Sequence, residues 1–515
     1  MLVKTFCAAV TGLEATVITI EVHLSRGVMF HLSGLADTAV RESYDRIKAA
    51  MTNTGYKPPV ADMTINLSPA HIRKEGSGYD LPLAIGILSA HGKVSDHLLG
   101  NYMMIGELGL DGKLKPVSGV LSVAIRAGKE KFKGLLVPKE NAREAAVVDN
   151  LEVYGMDNLF EVTRFLNGIE RYEPTRVDTR REFSEQQYAF GLDFADVKGQ
   201  ESVKRALEVA AAGGHNVLMV GSPGSGKSMM AKRLPGILPP LSLSESLETT
   251  QIHSVAGKLG NGETLISQRP FRSPHHTASQ VAMTGGTGRV QPGEVSLAHN
   301  GVLFLDELTE FSKSTLETLR QPLEDRKISI SRAAYSVEYP CSFMLVASMN
   351  PCPCGHYGDP THRCVCTPGQ IARYLSKISG PLLDRIDLHC EVTPVPFVHL
   401  AQMQPGEPSA VIRERVIKAR QIQEVRYQAY DGIHCNAQMT ERLLHQFAEP
   451  DAQSLDMLRT AMERLHLSAR AYSRILKVSR TIADLEGTEQ VQTHHIAEAI
   501  GYRNLDRGDW AERGR

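Results

Sequence analysis

The segment Gly221–Ser228 reads GSPGSGKS and directly follows the apolar run Asn216–Val220. An apolar strand, a glycine-rich loop and then a helix start at Met229–Leu234 together predict a phosphate-binding loop, although an ordinary glycine turn is the alternative. Backbone amides would surround phosphate oxygens at the positive end of the helix, with Lys227 reaching the β- and γ-phosphates and Ser228 ligating Mg²⁺. The predicted loop residues are Gly221, Ser222, Pro223, Gly224, Ser225, Gly226, Lys227 and Ser228.

Length and composition limit the class of protein. With 515 residues the chain is too long for one hydrophobic core, and we expect two to four domains. A net charge of −1 gives no global basic field, so nucleic acid would need a local site such as a pore or groove. The chain has no apolar run of membrane-spanning length, and its first residues lack a signal-peptide core. We therefore expect a cytoplasmic protein with reduced thiols and no membrane partner.

Composition and periodicity divide the chain into four segments. Residues 1–168 mix alternating and helical patterns, which predicts an α/β domain. Residues 169–191 are rich in charged residues and poor in aliphatic ones, as is typical of an exposed linker. Residues 192–394 carry short apolar runs that indicate buried parallel strands, and residues 395–515 carry only helical patterns. The sequence thus predicts a multidomain α/β protein with a parallel-sheet core.

Two carboxylates follow a second apolar run in this core. The run Gly301–Leu305 ends in Asp306 and Glu307. In a parallel sheet it would bring both carboxylates to the strand edge beside the phosphate-binding loop. Asp306 would hold Mg²⁺ through water, and Glu307 would orient and deprotonate the attacking water. The alternative is a pair of acidic residues that merely begin a loop.

Two further polar residues are candidates for the same chemistry. The predicted strand Phe343–Ser348 leads to Asn350, which would sense the γ-phosphate or position water, unless it only forms a turn before Pro351. Arg385 follows a short apolar stretch, and an arginine from a neighbouring subunit can stabilise charge during phosphoryl transfer. On the residues alone, a surface ion pair is the more common role for such an arginine.

Half of the eight cysteines fall in one short stretch with C-x-C-x₉-C-x-C spacing. They are Cys352, Cys354, Cys364 and Cys366. Four thiolates can surround a tetrahedral Zn²⁺, and the glycines and prolines between them predict a loop that needs such a staple. The spacing is tighter than in usual zinc knuckles, His356 and His362 could substitute as ligands, and reduced thiols are the alternative. We expect a structural zinc ion.

Several segments together resemble the magnesium-chelatase-like AAA+ ATPases of the ComM/YifB family. The resemblance covers essentially the whole chain. It implies a P-loop AAA+ core with a C-terminal helical lid, assembled as a homo-hexameric ring that binds ATP and Mg²⁺ between subunits. The matching segments are Asp196–Gln200, the phosphate-binding loop, Arg269–His276 (RPFRSPHH), Pro292–His299 (PGEVSLAH), Gly301–Phe311, Asn350–Gly355 (NPCPCG) and Ser379–Asp387.

The resemblance also implies roles for single residues. Arg385 becomes the finger that acts in the neighbouring subunit's site. Arg470 resembles the second sensor on the lid, with Arg474 as the alternative within one turn. Val197 and Gly199 join the nucleotide-binding residues. The Walker and sensor residues are then Lys227, Asp306, Glu307 and Asn350.

A hairpin is predicted just before the sensor strand. The stretch Arg326–Val337 alternates in polarity and then turns. In related helicases such a hairpin points into the ring pore, where Arg332 would meet DNA phosphates and Tyr335 would stack on a base. A solvated hairpin tip is the alternative.

The functional reading that follows from this resemblance is an ATP-driven motor on single-stranded or branched DNA. It would act as a helicase or branch-migration factor in recombination or natural transformation. The alternative is a magnesium-chelatase-like motor subunit that drives metal insertion or remodels a protein partner.

The first domain resembles the Lon-protease fold, a ribosomal S5 domain 2-like α/β fold, notably over Lys74–Ala84 and Ile105–Leu108. Lon enzymes need a serine nucleophile and a lysine base. Gly78 stands at the serine position and Leu121 at the lysine position, so both groups are absent. Ser77 lacks a positioned base and is expected to be inert. We therefore expect a scaffold, or a DNA-binding and ring-forming module.

Overall fold

The computed structural model describes residues 2–260, 262–286, 290–332, 335–359, 362–394, 405–465 and 467–503, with only the backbone of Arg332 and Tyr335. Two large sheets follow one another along the chain, each with its own buried core, and a helical region comes after the second. The predicted mixed α/β class with a parallel sheet is confirmed, and the four segment boundaries stay predictions.

The first sheet is mixed and has seven strands in the order β3-β4-β2-β1-β5-β8-β9. Its long central hairpin pairs β1 with β2 antiparallel, with Phe6 opposite Thr19. A short separate ribbon joins β6 to β7. The strands are β1 (Leu2–Thr11), β2 (Glu14–Ser25), β3 (Phe30–Ser33), β4 (Asp62–Ser68), β5 (Tyr102–Met104), β6 (Glu107–Leu108), β7 (Leu114–Lys115), β8 (Gly134–Pro138) and β9 (Glu152–Met156).

Helices cover this sheet because their apolar faces match its buried side chains. Helix Asp80–Ala90 is apolar all round and buried along almost its whole length, as expected of a helix enclosed in a core. Its first residue, Asp80, is buried and paired with Arg46 at 2.9 Å. The other helices are Thr38–Arg41, Ser43–Asn53, Val120–Lys129, Ala142–Ala145 and Leu159–Leu166.

The second sheet is fully parallel, with five strands in the order β11-β12-β15-β10-β16. Its inner strands are buried and mostly apolar, and alternate side chains enter separate cores on the two faces. All the strands therefore end at the same edge. They are β10 (Val217–Gly221), β11 (Phe271–Arg272), β12 (Val302–Leu305), β15 (Met344–Met349) and β16 (Leu388–Val392).

Connections between these strands are helical, apart from an antiparallel hairpin of β13 (Lys327–Arg332) and β14 (Tyr335–Pro340) before β15. This hairpin occupies the position that the sequence predicts. The helices of this region are Glu201–Gly213, Lys227–Arg233, Leu243–Val255, Gln280–Thr284, Glu294–Leu297, Lys313–Glu317, Arg320–Asp325, Pro368–Leu375 and Gly380–Leu383.

Five helices make up the described part of the C-terminal region, residues 405–465 and 467–503. They share a core with helix Glu201–Gly213 and with one face of the parallel sheet. No strand occurs within those ranges, in line with the helical patterns of the sequence. The helices are Ser409–Tyr427, Glu441–Phe447, Ala452–Arg464, Ala469–Glu486 and Thr493–Gly501.

The charged segment 169–191 is not wholly irregular. Helix Thr179–Gln186 forms inside it, and the Asp178 carboxylate accepts from the backbone N–H of Arg181 at its start. None of its residues is buried, but Glu182 pairs with Arg143 at 2.8 Å. A side-chain cap and this ion pair therefore order a stretch whose composition predicts a linker.

The first domain touches the second through helix Val120–Lys129, which packs on helix Leu243–Val255. Buried Glu144 accepts from the Leu121 backbone N–H at 3.0 Å and from the Ser254 hydroxyl across the interface. Burial raises the pKa of the Glu144 carboxyl. Leu121 itself packs against Val147 and Leu265. The helix that would carry the base of a Lon protease here carries an interdomain contact.

Among the described helices, none combines the length and apolar character needed to span a lipid bilayer.

Candidate active site

The phosphate-binding loop sits between the end of β10 and the start of helix Lys227–Arg233. Gly224 and Gly226 have φ values of +78° and +95°, a region that side-chain-bearing residues rarely adopt. A Cβ at Gly221 would lie 2.2 Å from the Val392 carbonyl oxygen of the neighbouring strand. Backbone geometry therefore requires glycine at three positions of the motif.

Lys227 is buried, and its ammonium group turns back onto the loop. Nζ donates to the carbonyl oxygens of Gly221 at 2.7 Å and Ser222 at 2.9 Å, and it lies 3.4 Å from Asn350 Oδ1. Burial lowers the pKa of Lys227, while Asp306 and Glu307 act in the opposite direction. A phosphate in the loop would offer this amine a charged partner in place of neutral carbonyls.

Asp306 has both carboxylate oxygens engaged at the end of β12. The Ser228 hydroxyl donates to Oδ2 at 2.7 Å, and the Ser348 hydroxyl donates to Oδ1. Hydroxyl and carboxylate oxygens are the ligands that Mg²⁺ prefers, so this pair of side chains fits a magnesium ion beside the phosphate loop. The structure brings together Lys227, Ser228, Asp306 and Asn350 as the sequence predicts; their roles stay predictions.

Glu307 differs from its neighbour in being exposed. Its backbone is left-handed, with φ of +53°, and 58% of its side chain is accessible. Oε2 lies 3.6 Å from Nδ1 of His276, in the loop that follows β11. The carboxylate is therefore open to a water molecule and has one nearby partner.

Val197 and Gly199 lie before helix Glu201–Gly213. The Val197 side chain is buried in the core shared with the C-terminal helices. Gly199 has φ of +68°, and it leads into the turn that starts the helix. A nucleotide contact by either residue stays a prediction.

The arginines predicted to act on ATP lie at the opposite edge of the sheet from the phosphate loop. Asn216, just before β10, donates to the Arg385 carbonyl oxygen at 2.8 Å, whereas the loop begins where β10 ends. A five-residue strand spans about 16 Å. The Arg385 guanidinium pairs with Glu324, and Arg470 pairs with Asp384 at 2.8 Å.

Arg474, the alternative to Arg470, is engaged differently. It pairs with buried Asp387 at 2.7 Å, at the start of β16. Burial alone would raise the pKa of Asp387, but Arg474 and His215 lower it well below its usual range. Arg474 therefore neutralises an internal carboxylate, while 67% of the Arg470 side chain is accessible.

The hairpin places Arg332 and Tyr335 opposite each other next to its turn. Their side chains lie outside the described residues, so the proposed DNA contacts stay predictions. The middle of the hairpin contacts the first domain: a Cβ at Gly12 would lie 2.6 Å from Cγ1 of Val337, which pairs with Ile330, and Leu13 joins the same core.

The four clustered cysteines lie in the loop between β15 and helix Pro368–Leu375, with their sulfur atoms all within 4.8 Å of one another. Cys352 is buried, and the other three are partly accessible. Two histidines of the loop, His356 and His362, instead lie beside the Asp359 carboxylate at 3.4 and 3.6 Å. The thiols alone form a set of donors suited to Zn²⁺.

The first domain holds no lysine at its Lon-like position. Ser77 Oγ donates to the Glu107 carboxylate, and Gly78 lies against Ile105, whose Cγ1 would be 3.1 Å from an added Cβ. Leu121 faces the interdomain contact described above. The lysine base of Lon proteases is thus absent, but a carboxylate accepts from Ser77, and the inertness of Ser77 stays a prediction.

Two neighbours of the carboxylates were not singled out from the sequence. Ser348 interrupts the apolar run of β15, and the pairing of Leu305 with Ala347 sets it beside Asp306. A polar residue in a buried strand is a signal that could have identified it. His276 ends the RPFRSPHH segment named above, but its approach to Glu307 depends on the order of the strands.

Comparisons with known proteins cover nearly all of the chain. Models described as "Subunit ChlI of Mg-chelatase", "Magnesium chelatase, subunit ChlI" and "Magnesium chelatase, subunit ChlI C-terminal" match residues 20–141, 193–400 and 406–503. The chain is 44% identical over 508 residues to competence protein ComM of Haemophilus influenzae, covering 98% of this chain and 97% of that protein.

Two other relatives differ in coverage. The uncharacterized protein YifB of Escherichia coli is 43% identical over 507 residues, which cover 97% of this chain and 96% of YifB. Lon protease 2 of Bacillus subtilis is 32% identical over 159 residues, which cover only 28% of this chain and 27% of that protease.

Proposed function

The chain belongs to the ComM/YifB family of magnesium-chelatase-like proteins, and we propose on that premise that it is an ATP-hydrolysing AAA+ motor that acts on DNA. The observation that carries the ATPase proposal is the contact of 2.7 Å between Ser228 Oγ and Asp306 Oδ2, beside the amine of Lys227. It brings the predicted magnesium ligands together at the mouth of a glycine loop.

Each residue of the proposed site has a separate role in ATP hydrolysis. Lys227 binds the β- and γ-phosphates, and Ser228 and Asp306 hold Mg²⁺, which neutralises phosphate charge when bound. The exposed Glu307 carboxylate takes a proton from the attacking water. Asn350 orients the γ-phosphate from the end of β15. Adjacent strand ends hold these groups close to one another.

The distance between the two edges of the sheet supports a ring. The Arg385 backbone lies beside the start of β10, and the phosphate loop lies at its end, about 16 Å away. This separation favours a role for Arg385 on the phosphate of an adjoining subunit. Arg470, which is exposed beside it, is proposed to act at the same junction. A homo-hexamer with ATP at each junction accommodates both arginines.

The DNA substrate is proposed from two considerations. The relative ComM is named a competence protein, and the hairpin β13–β14 carries Arg332 and Tyr335 next to its turn. We place single-stranded or branched DNA at this hairpin, and helicase or branch-migration activity in recombination or transformation. The first domain is proposed to be a Lon-like scaffold without protease activity, and the Cys352–Cys366 loop to hold structural zinc.

The experiment is ATP hydrolysis by the full chain with no DNA and with single-stranded, forked and four-way DNA. DNA is expected to raise turnover, and strand unwinding should accompany it. Glu307→Gln should bind ATP and assemble but lose kcat by about 10²–10⁴, because it lacks the base. Glu185→Gln, at an exposed position of helix Thr179–Gln186 outside the parallel sheet, is the matched control.

A second candidate is a magnesium-chelatase-like subunit, which the three matching family models favour. Turnover that no DNA stimulates, but that a chelatase partner chain does, would support this candidate and contradict the DNA motor. Turnover by Glu307→Gln equal to that of the wild type would contradict the ATPase site itself.

A further inference from the structure

The sulfur atoms of the cysteine loop are spaced as in a metal-centred tetrahedron. The Sγ atoms of Cys352, Cys354 and Cys364 are separated by 3.4, 3.7 and 3.6 Å. Zinc–sulfur bonds of about 2.3 Å give a tetrahedron with edges of about 3.8 Å. A disulfide would instead bring two sulfurs to about 2.05 Å. The fourth thiol, Cys366, lies within 4.8 Å of the others and completes four donors.

This loop is attached directly to the predicted γ-phosphate sensor. Cys352 follows Asn350 by two residues, at the end of β15. Only two backbone units, which span at most about 7 Å, join Asn350 to Cys352. A metal that fixes Cys352 therefore restricts the position of Asn350. Since Asn350 Oδ1 also contacts Lys227 Nζ, the metal ligand and the phosphate-binding lysine are linked through one amide.

The cysteine loop also contacts the phosphate-binding loop directly. Gly355, next to the ligand Cys354, has φ of +84°, and a Cβ there would lie 2.6 Å from Pro223 Cδ. The backbone at Gly355 therefore packs against the middle of the glycine loop with no room for a side chain. A displacement of the cysteine loop moves this support away from Pro223.

A third attachment comes from the helix that follows the last cysteine. Thr309, close behind Glu307, donates its hydroxyl to Tyr374 of helix Pro368–Leu375 at 2.7 Å. Two of the cysteines and two of the proposed hydrolytic groups line one cleft of about 680 Å³. They are Cys354 and Cys366, and Glu307 and Asn350.

We propose that a zinc ion held by the four cysteines is a working part of the ATP site, and that the rate of ATP hydrolysis depends on it. Zinc fixes Asn350 and supports Pro223 in the geometry that turnover requires. Hydrolysis therefore falls when zinc leaves, even where the chain remains folded. This inference rests on the proposed ATPase function and adds a metal requirement to it.

The first test uses the full-length wild-type protein, purified without chelator. Metal analysis should give one zinc per chain, and replacement by Co²⁺ should give the visible absorption of tetrahedral thiolate cobalt. Removing zinc with a thiol-reactive agent and chelator, followed by reduction, should lower kcat for ATP at least tenfold. Added Zn²⁺ should restore it. Melting curves and labelled-ATP binding, measured in parallel, separate lost turnover from unfolding.

The variant Cys364→Ser/Cys366→Ser should reproduce the zinc-free state, and Cys7→Ala, a buried cysteine of β1, is the matched control. Wild type without zinc overturns the metal site. Zinc-free protein with a lower melting temperature and unchanged kcat overturns the link to hydrolysis. A zinc-loaded wild type that hydrolyses no ATP with any DNA is different, because it contradicts the proposed function instead.

Discussion

The neighbours of Asp387 determine the charge of its side chain. It is 1% accessible and lies between Arg474 at 2.7 Å and the buried ring of His215 at 3.6 Å. Its carboxylate also accepts from the Asn216 backbone N–H at 3.0 Å, just before β10. Burial alone would favour the protonated form of this carboxyl group. Partners beside the sheet and on a C-terminal helix keep it ionised.

We expect Asp387→Asn to lower the free energy of unfolding by about 3 kcal/mol at neutral pH, because Arg474 would lose its buried partner. The folded-state pKa of Asp387 is depressed, so its stabilisation is present above the unfolded-state pKa of about 3.9. That stabilisation is lost as pH falls from there through the folded-state pKa. Urea unfolding of wild type and variant at pH 7 and pH 3 measures the difference.

Asp384→Asn is the matched control, because Asp384 pairs with a well-exposed arginine, Arg470. Its cost should be at most about 1 kcal/mol. Equal losses for the two variants, or a loss for Asp387→Asn that grows as pH falls, would contradict the assignment of the charge.

At the scale of elements, the hairpin β13–β14 combines an anchored base with a turn that carries the predicted DNA contacts. Lys327 pairs with Glu338 across the base at 3.2 Å, and Ile328, Ile330 and Val337 enter the core beneath. Leu13 of the first domain packs against the same core, and Gly12 lies against Val337, midway along the hairpin. A two-stranded ribbon is marginal alone, so this packing is what holds it against the sheet.

We expect Arg332→Ala to weaken DNA binding while leaving basal ATP hydrolysis unchanged, because Arg332 is predicted to meet a phosphate. Losing one phosphate contact should reduce the slope of log K against log salt by about 1. DNA titrations at several salt concentrations measure this. Lys327→Ala, at the paired base, is the control, and an unchanged DNA affinity for Arg332→Ala would remove the hairpin from the DNA site.

At the scale of the whole molecule, the two ends of the parallel strands carry different groups of the proposed ATP site. The phosphate loop and carboxylates lie at one edge, and Arg385 lies at the other. In the ring that we propose, the arginine edge of each subunit would meet the phosphate edge of the next.

We expect Arg385→Ala and Lys227→Ala each to abolish ATP hydrolysis alone, and mixtures of the two to recover part of it. In a mixed ring, some junctions combine an intact Lys227 from one subunit with an intact Arg385 from the other. Phosphate release after co-assembly measures this recovery, with each variant mixed with itself as control. A mixture as inactive as both parents would contradict catalysis between subunits.

Features that depend on neighbours in the chain were predictable from the sequence. The glycine loop after β10 and the carboxylates after β12 follow from local patterns, because the backbone conformation of a few consecutive residues decides them. The parallel α/β core and the family were confirmed. Helix Thr179–Gln186 was missed, because a cap at Asp178 and an ion pair at Glu182 stabilise a stretch with no buried side chain.

The amino-acid sequence by itself determined that strands end in a phosphate loop and in paired carboxylates, since each motif is local. Only the tertiary structure decided what meets them: His276 beside Glu307, Gly355 against Pro223, and Arg385 at the far edge. Strand order and the packing of distant loops set those distances. They arise from burying many side chains at once, which no short stretch of sequence encodes.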